Sequence, residues 1–179
     1  MALGLIRDRD RLVAALRERG VDYLMPEDAA GEPVGDEALI ASLAANEDPR
    51  LRQALIALFM LDPHLAQHVP AIVDQLDEAS RIELIAHYMA AVYSQSMWRI
   101  RLDNYLPPTP DLPDYYSKQL QLPSPDDEYG KAGLHALADW HAGHKTWHAN
   151  HLSEYESVPG LLFGRLMNRA RRSAVAAAG

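Results

Sequence analysis

Along nearly the whole chain the apolar residues recur at helical spacing, and nowhere do they alternate as a half-buried strand would require. Leu5, Leu12, Val13 and Leu16 predict a first helix over Leu3–Arg19, with Gly20 placed as its C-terminal stop. Between Val21 and Asp48 the periodicity is broken by Pro26, Gly31, Pro33 and Gly35, until Asp36 can cap a short helix through Ala45. Asp48-Pro49 and Asp62-Pro63 each pair a side chain that accepts orphan amide hydrogens with a residue that needs none satisfied. Two helices should begin there, the first burying Leu51, Leu55, Leu58 and Phe59, the second kinked or restarted at Pro70.

Ser80-Arg81-Ile82-Glu83 has the form of a capping box, and the chain stays helix-compatible to about Leu106, where Pro107 and Pro108 end it. That is roughly 39 Å of helix at 1.5 Å per residue. Its apolar positions, among them Leu84, Ile85, Met89, Val92, Tyr93 and Trp98, cover more than one stripe, as on a helix touched from several sides. This segment, about 80–106, is read as the spine of the fold. A Pro-rich connection over 107–125 then wraps the bundle, with at most a short helix around Tyr115–Leu120. Ser124-Pro125 opens a further helix carrying Leu134 and Leu137, and a last helix starts at Ser153 or Pro159 and runs to Arg172. The expectation is an all-α, single-domain helical bundle over 1–173 with a frayed Ala-rich tail over 174–179.

Composition agrees. Ala (27) and Leu (25) dominate, while Val, Ile and Thr number only 8, 7 and 2. The absence of Cys excludes disulfides, thiolate nucleophiles and Cys-ligated metals and suits a reducing compartment. The uncharged stretch Leu84–Trp98 is too short and too polar to span a bilayer, and Arg7 to Asp10 interrupt any apolar leader. A cytoplasmic location with no membrane association is expected. A formal charge of -8, with eight acidic and no basic residues over 21–48, argues against general nucleic-acid affinity. The opposite sign collects at the end of the chain, in Arg165, Arg169, Arg171 and Arg172.

Three groups of residues could carry chemistry. Five of the eight His fall in HALADWHAGHKTWHANH, where His141, His144, His148 and His151 are spaced three, four and three. An uninterrupted helix would put them on one face, able to share zinc or nickel with Asp139 or Glu154 adding an oxygen. Gly143 opposes an uninterrupted helix, and the alternative is a helix-loop-helix corner whose His cap carbonyls or pack beside Trp140 and Trp147. Fold stability itself requires no cofactor at this length. A second group, Trp98, Arg99, Arg101 and Tyr105 with the Tyr115-Tyr116 pair, could grip phosphates and stack bases, or serve as aromatic anchors and helix-end cations.

The third group is Arg81 and His87 on the spine. Arg followed six residues later by His on a bundle helix resembles the signature of the HEPN-domain ribonucleases. The resemblance implies RNA as substrate, Arg81 stabilising phosphate charge, His87 moving a proton, and a homodimer that assembles the cleft. The alternative pairs Arg81 with Asp77 or Glu78 and buries His87. Through DPRLRQALIALFMLDPHLAQHV and YMAAVYSQSMWRIRL the whole chain also resembles a group of small, uncharacterised helical bacterial proteins of no known activity. Some genes of that group lie beside minimal nucleotidyltransferases, which implies such a protein as a partner.

Together these features point to a non-catalytic helical interaction or regulatory protein, with a protein partner or a second copy bridging its acidic and Arg-rich surfaces. The alternatives are a HEPN-like RNA-processing or toxin-antitoxin component, and a metal-binding protein built on the His cluster.

Overall fold

The structure, a computed structural model, describes residues 4–25, 32–145 and 150–178, and among these it is all-α with no strand. Helix α1 spans Arg9–Glu18, later than predicted, because the Asp8 carboxylate accepts from the Asp10 and Arg11 amides and sets the start. Gly20, at φ +90°, ends it in the left-handed region. Helix α2 is Asp36–Ala44, with Gly35 rather than Asp36 at the cap position. Asp48 caps α3, Pro49–Leu61, through the Arg50 amide. Asp62 starts a 3-10 turn over Pro63–His68, and Pro70 falls in the first turn of α4, Val69–Val73, which is the restart that its missing N–H demands.

The spine is α5, Glu78–Asp103, a helix of 26 residues. Asp77, not Ser80, is its cap: the Asp77 carboxylate accepts from the Ser80 amide at 2.9 Å and the Ser80 hydroxyl at 2.9 Å. Glu83 is thereby released from the predicted capping box and turns inward. α5 packs chiefly against α3 and α6, and α3 also meets α7. Leu84, Tyr88, Met89 and Tyr93 are wholly buried, so the spine is touched on several sides as its sequence implied.

The Pro-rich segment after α5 is stitched to the spine by its own carbonyls. The Tyr88 hydroxyl donates to Pro113 O at 2.6 Å, the Tyr93 hydroxyl to Pro123 O at 2.8 Å and Ser96 to Pro125 O at 2.9 Å. Gln95 does both, donating to Pro110 O and accepting from the Leu112 amide at 2.7 Å. Proline supplies an acceptor with no donor to satisfy, which suits a strap held by side chains. Residues 117–121 form turns, where the sequence allowed at most a short helix.

The Ser124 amide donates to the Asp127 carboxylate at 3.0 Å, and the Ser124 hydroxyl accepts from the Asp126 amide at 3.3 Å, as at a cap. The helix nonetheless begins only at Lys131, because Glu128, Tyr129 and Gly130 all have positive φ. Helix α6, Lys131–Ala142, ends before Gly143. Helix α7, His151–Ala177, contains Pro159 and starts earlier than predicted, with Asn150 accepting from the Ser153 amide as its cap. The Ala-rich residues 174–177, expected to fray, continue it. Among the described residues no single helix is long and apolar enough to cross a membrane.

Candidate functional site

Four helices place charged and imidazole side chains around one buried carboxylate. Glu83 and His87 lie one turn apart on α5 and so share a face. Arg52 comes from the first turn of α3, where it also donates to Asn46 O at 2.6 Å and so ties the α2–α3 turn to the cluster. His141 stands in the last turn of α6, Lys145 just beyond it, and His151, Glu154 and Tyr155 in the first turns of α7. Helix α6 ends before Gly143, so that His141 and His151 meet across two helices, not along one.

Glu83 is the hub. Its Oε2 is 3.3 Å from Arg52 Nε, 3.4 Å from His141 Nε2 and 3.6 Å from His87 Nδ1, and Lys145 Nζ contacts its other oxygen. Burial alone would raise this carboxyl, but the hydrogens of His141 and Lys145 outweigh it and hold Glu83 well below the ordinary carboxylate range. Burial pulls His87 down to about 4 against the opposing pull of Glu83, and lowers His141 for the same reason. The centre therefore sets an ionised carboxylate between two cations, while burial favours the uncharged form of His87 and His141.

Each imidazole has its Nδ1 engaged. His87 Nδ1 donates to Glu83 O at 2.8 Å, His151 Nδ1 donates to Glu154 Oε2 at 3.0 Å, and His141 Nδ1 faces the Tyr155 hydroxyl at 2.5 Å. The His141 and His151 rings stack at 3.9 Å between centroids, and Nε2 of each is buried without a hydrogen-bond partner. These groups wall a cavity of about 50 Å³. A second pocket of about 230 Å³, between Asn46, Glu47, Ser80 and His144, lies on the other side of Arg52, Glu83 and Lys145.

Of the predicted metal residues, the structure brings His141 and His151 together. His144 is elsewhere: its Nδ1 is 2.8 Å from Trp140 O and its ring packs on that indole at 4.5 Å. His148 lies outside the described residues. The Arg81 and His87 side chains are not brought together within one chain. Arg81 donates to Val73 O at 3.1 Å and Leu76 O at 3.2 Å, closing the end of α4, whereas His87 is buried in the Glu83 cluster.

The aromatic and basic residues near the end of α5 are engaged internally. Arg101 stacks over Phe163 at 4.4 Å and near Trp98 at 5.9 Å, and Tyr105 packs on the same Phe163. Arg99 donates to Thr109 O and pairs with Asp111 on the strap. Five acids of the acidic segment have partners within the chain: Asp22 meets Arg169, Glu32 meets Arg11, Asp36 meets Arg19, Glu37 meets His68, and Asp48 meets Arg9. Sequence reasoning missed Glu83, Arg52, Lys145 and Tyr155 as site residues; the one local signal was the i, i+4 spacing of Glu83 and His87.

Among the described residues two surfaces stand open. A groove of about 790 Å³ runs between the second half of α5 and the strap, with Asp111, Asp114 and Asp126 on its walls beside Ile100 and Tyr129. Those last two are 82% and 81% exposed. At the other surface, every residue of α7 from Asn168 onward is exposed, including Arg169, Arg171, Arg172 and Val175. No protein-family model, curated protein or solved structure matches the chain.

Proposed function

We propose that the chain is a non-catalytic helical interaction protein, and that its first partner is a second copy of itself. The observation that carries this reading is the end of α7, where ten residues of helix, 168–177, are all exposed and Arg169 reaches back to Asp22 at 3.4 Å. A helical segment this short is marginal in water unless tertiary packing supports it. The segment extends about 15 Å and offers three Arg and one exposed Val. The groove beside the strap supplies the complement, Asp114 and Asp126 with Ile100 and Tyr129, and Asp111 beside its partner Arg99. Docking the end of α7 from each copy into the groove of the other matches cation to carboxylate and covers apolar surface on both sides in a closed, self-complementary pair.

Sedimentation velocity tests this reading directly. The expected result is a dimer that weakens as NaCl is raised from about 50 mM to 500 mM, since surface charges are screened within about 8–10 Å at intermediate salt. The triple variant Arg169→Glu, Arg171→Glu, Arg172→Glu should be monomeric, as should Asp111→Arg, Asp126→Arg. Mixing the two variants should restore a dimer, because each end of α7 then meets a groove of opposite charge. A wild-type monomer at the lowest salt, or two variants that stay monomeric when mixed, overturns the proposal.

A further inference from the structure

The three buried imidazoles present an arrangement that the cluster's ion pairs do not account for. His87, His141 and His151 come from three different helices, and each has an oxygen partner at Nδ1 that fixes the ring. A carbonyl or carboxylate at Nδ1 requires the proton there and leaves Nε2 as a bare lone pair, as on His87 and His151. The Tyr155 hydroxyl can donate or accept, so His141 can take the same form. Imidazole ligands of metals are held in this way, with the far ring nitrogen oriented by a carboxylate, carbonyl or hydroxyl. His151 Nε2, on a side chain 6% exposed, has no hydrogen-bond partner, and His141 Nε2, on a side chain 1% exposed, faces the Glu83 carboxylate at 3.4 Å. An unpaired nitrogen this deeply buried is costly unless something fills the cavity it walls.

We propose that this cavity is a site for a divalent transition ion of the zinc or nickel class, taken by Nε2 of His141 and His151 with the Glu83 carboxylate and completed by His87. Imidazole nitrogen with one carboxylate is the donor set such borderline ions prefer. Among the described residues no three such side chains already stand in metal-binding geometry. Two features account for that. The His141 and His151 rings are stacked, and the Lys145 ammonium occupies the carboxylate. Lys145 thus acts as an internal cation in the ion's place. Its side chain, 27% exposed and bordering the outer pocket, is the group free to leave. Binding exchanges one cation for another at Glu83, while Arg52 stays in place and the stacked rings splay to share the ion. The site differs from a surface cluster along one helix, because His144 takes no part and the ligands come from α5, α6 and α7.

The test uses the full chain after chelator treatment, titrated with Zn²⁺, Ni²⁺ or Co²⁺. Equilibrium dialysis should find one ion per chain, and Co²⁺ should develop visible absorption bands of a low-symmetry nitrogen and oxygen site. His151→Ala should abolish binding and His144→Ala should leave it unchanged. Glu154→Gln, which loosens the hold on His151 Nδ1, should weaken binding by roughly 10- to 100-fold. Lys145→Met should tighten it, a result that a cluster serving only to hold the fold would not produce. Should His151→Ala fail to fold, Co²⁺ spectra of the parent and Lys145→Met decide the matter. No stoichiometric ion in the parent, binding lost through His144→Ala, or weaker binding in Lys145→Met overturns the proposal.

Discussion

Replacing Glu83 with Gln keeps the shape of the side chain and removes one buried charge. At 3.3 Å the attraction between Arg52 and Glu83 is about 5 kcal/mol at an effective dielectric of roughly 20, and Lys145 adds a second contact. The gross attraction is offset by the desolvation of three ions, several kcal/mol each. What the variant exposes is the difference: two cations left beside a neutral amide. Breaking a buried pair from one side costs about 3–5 kcal/mol. Arg52 and Lys145 keep 19% and 27% of their side-chain surface in solvent, which places the expected loss near the lower end, at about 3 kcal/mol. Urea denaturation with chelator present measures it, provided the denaturant slope is unchanged. The loss should survive 1 M NaCl, because the carboxylate is buried away from mobile ions. Asp36→Asn is the control, since that carboxylate is 43% exposed and pairs with Arg19 near the surface. It should cost at most about 1 kcal/mol and less still in high salt. A Glu83→Gln loss below about 1 kcal/mol, or one erased by salt, would refute the view of Glu83 as the centre of a buried ion cluster.

Asp77→Ala should destabilise by about 1 kcal/mol at pH 7 through loss of the α5 cap. The bonds from Ser80 hold the Asp77 carboxyl below its ordinary value, so its contribution is present above the unfolded pKa and disappears as pH falls through the folded one. Denaturation of parent and variant at pH 7 and near pH 3 should therefore show the difference shrinking with acid; a constant difference would argue against an ionic cap. Gly133→Ala tests the α5–α6 contact, because an added Cβ would lie 2.0 Å from Tyr93 Cε1. Tyr93 is tied to Pro123 and cannot retreat, so overpacking of about 1–3 kcal/mol should exceed the roughly 1 kcal/mol gained in helix propensity. A melting temperature higher than the parent's would show that the crossing is looser than described.

Much of the fold was legible locally. Asp48-Pro49 and Asp62-Pro63 started helical segments because capping involves only atoms within one turn, and Pro70 forced the restart its missing N–H implied. The long apolar helix and the Pro-rich strap after it were readable for similar reasons. Where two local signals competed, the reading failed. Asp77 outranked Ser80 as the cap of α5, and this freed Glu83 to point inward. The delayed start of α6 reflects three residues of positive φ, one of them Gly130, where an added Cβ would lie 2.6 Å from Tyr93 O.

The candidate site was legible only in part, since its members are distant in sequence. Lys145 reaches Glu83 across 62 positions and His141 meets Tyr155 across 14. The His-rich stretch marked where imidazoles would collect, yet spacing along a single imagined helix selected His144 and His148 beside His141 and His151. The fold selected differently: His144 packs on Trp140, one turn away, and His87 comes in from the spine. The same holds for charge. Counting acids over 21–48 gave their sum but not their neighbours, and folding set Asp22, Glu32, Asp36, Glu37 and Asp48 beside partners within the chain. The sequence by itself determined which segments would be helical and where most would begin, because hydrogen bonding within a turn and hydrophobic spacing are short-range. Only the tertiary structure decided which charges cancel and which imidazoles converge, because pairing depends on distances set by how the helices pack.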